Sequence, residues 1–131
     1  MAEFNLKNIK NMQFEFEMDG MKILCDQPVD NYGDGEYLSP VPIFVSSVAM
    51  CAATYGGFFY KKNNIPMDNF KVTGSYEAEY SKKARIKSIN LKIFSPDIPE
   101  KDRKKFEAFV NQCLIVNTIK DSLEITKEFF Y

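Results

Sequence analysis

The chain has 131 residues, of which 45% are hydrophobic, 15% aromatic and 27% charged, and its 17 basic and 18 acidic residues leave a net charge of −1. This size and composition predict a single globular domain over 1–131 with ample material for a core. The balanced charge excludes the strong positive field that attracts nucleic acid or an anionic membrane surface, so neither is expected as a partner.

Histidine is absent, which excludes imidazole bases, Cys-His and Ser-His nucleophiles and histidine-based zinc sites. The three cysteines, Cys25, Cys51 and Cys113, contain no CxxC pair and are too scattered for a structural zinc cluster. We therefore expect no metal and no cofactor. An odd number of cysteines without an N-terminal signal segment disfavours a secreted disulfide scaffold, and we expect a cytoplasmic protein.

The first predicted elements are strands. Apolar and polar residues alternate strictly in MQFEFEM, residues 12–18, which predicts a half-buried strand with Glu15 and Glu17 exposed. An Asp-Gly pair then favours a tight hairpin turn. The returning strand is MKILC, residues 21–25, in which Cys25 is predicted to pack on the apolar face.

A long apolar helix is predicted after an irregular acidic loop. Residues 42–62, PIFVSSVAMCAATYGGFFYKK, have no charge before the last two lysines, and Ser39 can cap the first turn. Its length would also suit a membrane span, but its polar residues and amphipathic flanks favour a helix buried in a protein core. Gly56 and Gly57 each cost roughly 1 kcal/mol relative to alanine, so we expect another stretch of backbone to approach closely there.

The second half repeats the hairpin and helix. Apolar and polar residues alternate in FKVTGSYEAEY, residues 70–80, which predicts another strand. The basic segment SKKAR predicts a turn, and the strand that follows it returns through residues 89–93. A second helix is expected after Pro99, followed by a short helical turn and a last strand, LEITKEFF. The apolar face of the second helix contains Phe106, Phe109, Val110 and Cys113. The order β-β-α-β-β-α-β with antiparallel hairpins predicts an α+β fold.

Two cysteines lie on core-facing sides of helices. A buried thiol can be plain packing, a nucleophile, a metal ligand or half of a disulfide, and packing is the simplest interpretation of most free cysteines. The pattern alone leaves these alternatives open for Cys51 and Cys113.

The sequences around both cysteines resemble a known family. SSVAMCAATYGG around Cys51 and NQCLIVNTI around Cys113 are similar to the OsmC/Ohr family of osmotically induced and organic hydroperoxide-resistance proteins, and the likeness extends over nearly the whole chain. It implies an OsmC-like fold, with antiparallel sheets wrapped around a long central apolar helix in an intertwined homodimer. It also implies that Cys51 is the peroxidatic cysteine and Cys113 the resolving cysteine.

The chain departs from the family pattern near both cysteines. Leu114 stands where a proline usually follows the second cysteine, and Val41 stands where a glutamate usually precedes the first. In the family this glutamate orients an arginine beside the thiol, but no arginine occurs here before Arg85.

Another group must therefore stabilise the thiolate of Cys51. Lowering a cysteine pKa by two units requires about 2.7 kcal/mol. Ser47, one turn before Cys51, and Arg85 are the candidate stabilisers, and Lys82 and Lys83 are further cations in the same basic turn.

Two functions follow from these observations. The first is a thiol-dependent peroxidase of the oxidative stress response, which reduces organic hydroperoxides and is itself reduced by a lipoyl- or thioredoxin-type dithiol. Phe44, Tyr55 and Phe58 on the long helix would line its substrate pocket. The second is an OsmC-like protein without efficient peroxidase activity that binds a small apolar ligand or takes part in other thiol-disulfide exchange. The missing glutamate and arginine favour the second function, and the retained cysteine pair favours the first.

Overall fold

The computed structural model describes residues 1–81, 83–120 and 123–131 and contains two three-stranded sheets and one long helix. This confirms the predicted α+β fold, although strand β1 was not predicted. The elements in chain order are β1 Asn5–Lys10, β2 Gln13–Met18, β3 Met21–Cys25, α1 Pro40–Lys62, β4 Lys71–Glu79, β5 Arg85–Phe94, α2 Arg103–Val110, α3 Leu114–Ile119 and β6 Glu124–Phe130. Short 3-10 helices occupy Val29–Asn31 and Glu100–Asp102. The chain divides into two compact units, Met1–Phe44 and Val45–Tyr131, and α1 begins in the first and ends in the second.

The first unit is built on an antiparallel sheet in the order β1-β2-β3. Asp19 and Gly20 both have positive φ angles, 52° and 75°, as a tight hairpin between β2 and β3 requires. The expectation that Glu15 is exposed was wrong, because only 8% of its surface is accessible. Lys7 on β1 and Lys22 on β3 flank its carboxylate at 3.8 and 3.5 Å and cover it.

A buried carboxylate organises the loop after β3. Asp26 is fully buried, and its Oδ1 accepts hydrogen bonds from the backbone N–H groups of Gln27 at 2.7 Å and Asp34 at 3.3 Å. Its Oδ2 accepts from the N–H of Glu36 at 3.0 Å and from the side chain of Gln13 at 3.2 Å. Burial alone would raise the pKa of Asp26, but these donors outweigh it and hold the pKa below its usual range.

Helix α1 is apolar over most of its length, and one side of it is buried. The buried residues recur every three to four positions, as expected for one face of a helix, and are Val48, Ala52, Gly56, Phe59 and Tyr60. The expected approach of a backbone segment was wrong, because the close neighbour at Gly56 is a side chain: a Cβ placed there would lie 2.7 Å from the ring of Phe70. By length and composition α1 could cross a membrane, but the core helix of a soluble protein meets the same criteria.

The second unit contains a mixed sheet in the order β4-β5-β6. Strands β4 and β5 form the predicted antiparallel hairpin, whereas β6 pairs parallel to β5, so the expectation of purely antiparallel sheets was wrong for this strand. The reason is the long connection through α2 and α3, which returns the chain to the starting end of β5 as a parallel crossover does. Residues from α1, β5, α2 and α3 form the core, among them Val48, Ile89, Ile93, Phe106 and Val116.

Candidate functional site

The structure brings Cys51 and Cys113 together in the second unit. Cys51 lies on α1 and is half-buried, whereas Cys113 is fully buried and immediately precedes α3. Both are free thiols, and the Cys113 thiol donates a hydrogen bond to the sulphur of Cys51. The two cysteines therefore form an interacting thiol pair, one residue half-buried and the other enclosed.

The backbone on both sides of Cys113 is fixed. Its N–H donates to the carbonyl of Val110 at the end of α2, at 3.3 Å, and its carbonyl accepts from the N–H of Asn117 in α3, at 3.0 Å. Cys113 thus lies at the joint between α2 and α3. The two hydrogen bonds fix its backbone, so that its side chain is held towards α1.

Burial raises the pKa of the Cys113 thiol, because a thiolate would lose its hydration. The hydrogen bond to Cys51 raises it further, since only the protonated thiol can donate. The backbone N–H groups of Val116 and Ile115 act in the opposite direction but do not outweigh these effects. Cys113 therefore keeps its proton at neutral pH.

Lys127 is a charged residue of this site that the sequence reasoning missed. It lies half-buried on β6, and its Nζ donates a hydrogen bond to Oδ1 of Asn111 at 3.0 Å. Burial lowers the pKa of Lys127, and interaction with the charges of Cys113 and Cys51 raises it. The signal that could have found it is the alternation of LEITKEFF, which places Lys127 on the same face as Ile125 and Phe129.

The predicted thiolate stabilisers have different surroundings. Ser47 is half-buried on α1, one turn before Cys51. Arg85 is exposed at the start of β5 and forms an ion pair with Glu79 across the hairpin. Lys83 is exposed, and Lys82 lies outside the described residues. The roles proposed for Ser47 and Arg85 stay predictions.

The predicted substrate-pocket residues fall into two groups. Tyr55 and Phe58 belong to the second unit, where their rings meet edge to face with centroids 5.8 Å apart. Phe44 instead lines an apolar pocket of about 340 Å³ in the first unit. The packing role predicted for Cys25 stays a prediction. The other residues that line this pocket are Leu6, Phe14, Phe16, Ile23, Cys25, Pro40 and Ile43.

This α+β fold, with one free thiol on α1 and an interacting free thiol between α2 and α3, defines a class of protein with a paired-cysteine site. The sequence between residues 33 and 128 matches the model of the family described as OsmC-like protein, a range that includes both cysteines and Lys127. The chain belongs to the OsmC-like family, as the sequences around its cysteines indicated.

Solved structures share this fold over nearly their whole length at low sequence identity. A candidate osmotic stress induced and detoxification response protein from Psychrobacter arcticus is 19% identical, with a TM-score of 0.84 and coverage of 98% of this chain and 96% of that one. The organic hydroperoxide resistance protein OsmC from Legionella pneumophila is 16% identical, with a TM-score of 0.72 and coverage of 100% and 97%. The organic hydroperoxide resistance protein OhrB of Bacillus subtilis is 12% identical, with a TM-score of 0.67 and coverage of 98% and 97%. No curated protein matches the sequence significantly.

Proposed function

We propose that the protein is a thiol-dependent peroxidase that reduces organic hydroperoxides through Cys51 and Cys113. The observation that supports this most is the side-chain hydrogen bond between the buried Cys113 thiol and the half-buried Cys51. A two-cysteine peroxidase requires an accessible sulphur for the peroxide and a second thiol close enough to form a disulfide with it.

The chemistry balances with these two residues and an external dithiol. The Cys51 thiolate attacks one oxygen of the hydroperoxide, the O–O bond breaks, and the alkoxide leaves as an alcohol after taking up a proton. Cys51 is then a sulfenic acid. The Cys113 sulphur attacks the oxidised sulphur, the S–O bond breaks, and the oxygen leaves as water. A dithiol of lipoyl or thioredoxin type restores both thiols and is itself oxidised to a disulfide.

Aromatic side chains near the thiols favour an organic substrate over hydrogen peroxide. Tyr55 lies one turn after Cys51, and its ring packs beside those of Phe58, at 5.8 Å, and Phe109, at 6.3 Å between centroids. An apolar wall of this kind suits the alkyl or aryl group of an organic hydroperoxide and gives hydrogen peroxide no compensating contact.

We further propose that the active form is a homodimer. In the first unit, Leu6 and Ile23 belong to the apolar face of the sheet yet are 61% and 53% exposed. On α1, Met50 and Phe58 are 65% and 50% exposed and lie on the side of the helix opposite its buried residues. A second copy of the chain would cover these apolar surfaces, which a soluble monomer would leave in contact with water.

Consumption of cumene hydroperoxide in the presence of dihydrolipoamide tests the proposed activity. We expect turnover by the unmodified protein and none by Cys51→Ser, because no thiolate remains to attack. Cys113→Ser should consume about one equivalent and stop as a sulfenic acid or over-oxidised product. Cys25→Ser, a matched cysteine removal outside the site, should retain turnover. Activity that survives in Cys51→Ser would contradict the proposal.

A second candidate is an OsmC-like protein that binds a small apolar ligand without efficient peroxidase chemistry. It is favoured by the apolar pocket of about 340 Å³ in the first unit and by the absence of any arginine before Arg85. Binding of an apolar fluorescent probe by a protein that consumes no hydroperoxide would support this candidate. Phe44→Asp should then abolish binding, since it places a charge in the pocket wall.

A further inference from the structure

Lys127 occupies a core-facing position on a strand. Exposed and half-buried residues alternate along β6, and its neighbours on the same face, Ile125 and Phe129, pack against the hydrophobic core. Its partner across the parallel ladder, Leu91 on β5, is 2% exposed. Holding an ammonium group there costs hydration, so a partner of opposite or partial negative charge is expected nearby.

The hydrogen bond of the ammonium locates it at the end of α2, close in sequence to the second cysteine. Lys127 Nζ donates to the side-chain oxygen of Asn111 at 3.0 Å, and Asn111 caps the end of α2 two residues before Cys113. Cys113 and, more weakly, Cys51 raise the pKa of Lys127 through their charges. Such coupling is reciprocal, so an ammonium that is favoured by a thiolate favours that thiolate by the same free energy.

Cys113 needs a group that stabilises its thiolate in the proposed reaction. The thiolate, and not the thiol, attacks an oxidised sulphur, yet Cys113 is fully buried and the chain has no histidine to take its proton. In the described part of the chain, the charge of Cys51 on α1 acts on Cys113, and the charge of Cys113 acts in turn on Lys127 of β6. Lys127 remains a cation after Cys51 is oxidised, and its ammonium is bonded to Asn111 at the end of α2, two residues before Cys113.

We propose that Lys127 stabilises the thiolate of Cys113 and so makes it a competent resolving nucleophile, with Asn111 as the residue that positions the ammonium. The inference rests on the proposed pairing of the two cysteines. In the step concerned, Cys113 forms an S–S bond to the oxidised sulphur of Cys51 and displaces the group attached to it. Lys127 remains charged throughout and is not consumed.

A test that uses no peroxide separates this inference from the proposed peroxidase activity. In a Cys25→Ser background, dithiobis(nitrobenzoate) should first react with the more accessible Cys51 and release one equivalent of coloured thiolate. Attack by Cys113 on the mixed disulfide then releases a second equivalent. The rate of this second release against pH reports the thiolate fraction of Cys113.

Lys127→Gln should slow the second release about tenfold at neutral pH. The midpoint of the curve of its rate against pH should rise by about one pH unit, because the charge that stabilises the thiolate is lost. The first release should change less. Lys127→Arg should restore most of the rate, because the charge is kept, and Asn111→Ala should slow it in the same direction. Lys92→Gln is the matched control, because Lys92 is exposed on the other face of the same sheet.

An unchanged second release in Lys127→Gln, or equal slowing in Lys92→Gln, would overturn the inference. So would a parent protein that never releases the second equivalent. Lys127→Met, which keeps the length of the side chain, replaces Lys127→Gln if circular dichroism shows that the latter is unfolded. A protein that passes this test but reduces no hydroperoxide would contradict the proposed function and leave the role of Lys127 intact.

Discussion

Solvent exposure separates the two cysteines at the scale of single residues. Cys51 is half-buried and can meet a substrate, whereas Cys113 is enclosed and burial raises the pKa of its thiol. A thiol that keeps its proton is slow to react with solvent oxidants. The enclosed residue is therefore suited to a second step, after its neighbour has been oxidised.

The sequence was sufficient to single out Cys51 and Cys113 but not the lysine that interacts with them, Lys127. The resemblance directed attention to cations in the first half of the chain and to Arg85. Lys127 lies in the last strand, and the approach of β6 to the joint between α2 and α3 depends on the parallel pairing of β6, which hairpin patterns do not reveal.

Asp26 gives a prediction at the residue scale. Its pKa is lower in the folded protein than its usual value, so its carboxylate stabilises the fold at pH values above about 4, and this contribution is lost as the pH falls towards the lowered pKa. Asp26→Asn should therefore lower the free energy of unfolding most near pH 7 and progressively less below about pH 4. Urea denaturation at several pH values measures the difference.

Asp30→Asn is the control for this substitution, because Asp30 is exposed in the same loop. The same destabilisation by both variants, or a difference for Asp26→Asn that does not depend on pH, would show that the buried carboxylate has no special role.

At the scale of elements, periodicity predicted the positions of β2 to β6 better than the faces that these strands bury. The alternation in 12–18 correctly indicated β2, but Glu15 is covered because strands on both sides place lysines over it. The apolar residues Phe14 and Phe16 are only half-buried and line an open pocket. Which face of a strand is covered depends on neighbouring strands, and the pattern of one strand does not contain that information.

The glycine pair of α1 gives a prediction at this scale. A Cβ at Gly56 would lie 2.7 Å from a ring atom of Phe70, whereas at Gly57 the nearest atom, the sulphur of Met67, is at 3.5 Å. Phe70 cannot yield easily, because its ring packs against that of Tyr60 at 4.8 Å. Gly57→Ala should therefore gain up to about 1 kcal/mol from helix propensity.

Gly56→Ala gains the same propensity but adds about 1–3 kcal/mol of overpacking, so it should be the less stable of the two variants. Thermal or urea denaturation of both variants measures this. Equal stabilities would mean that α1 does not need a glycine at position 56 and that Phe70 shifts at no cost.

At the scale of the whole molecule, the exposed apolar surfaces predict self-association. Ile23→Lys should place a charge on the apolar sheet face and convert a dimer to a monomer at micromolar concentration, since burying an unpaired charge in an interface is costly. Light scattering coupled to size exclusion gives the mass directly. Val29→Lys is the control, because Val29 is 75% exposed in the loop outside the pocket lining. A parent protein of monomeric mass with its fold intact would contradict the dimer.

The most direct measurement of the central claim is peptide mapping by mass spectrometry after one equivalent of an organic hydroperoxide. If Cys51 and Cys113 act as peroxidatic and resolving cysteines, the peptides that contain them become joined by a disulfide while Cys25 stays reduced. The side-chain interaction between the two thiols supports this expectation, since a disulfide requires Cα atoms within about 7 Å. If all three thiols remain reduced, or if Cys25 is the residue that oxidises, the cysteine pair has a packing role and the proposed peroxidase is wrong.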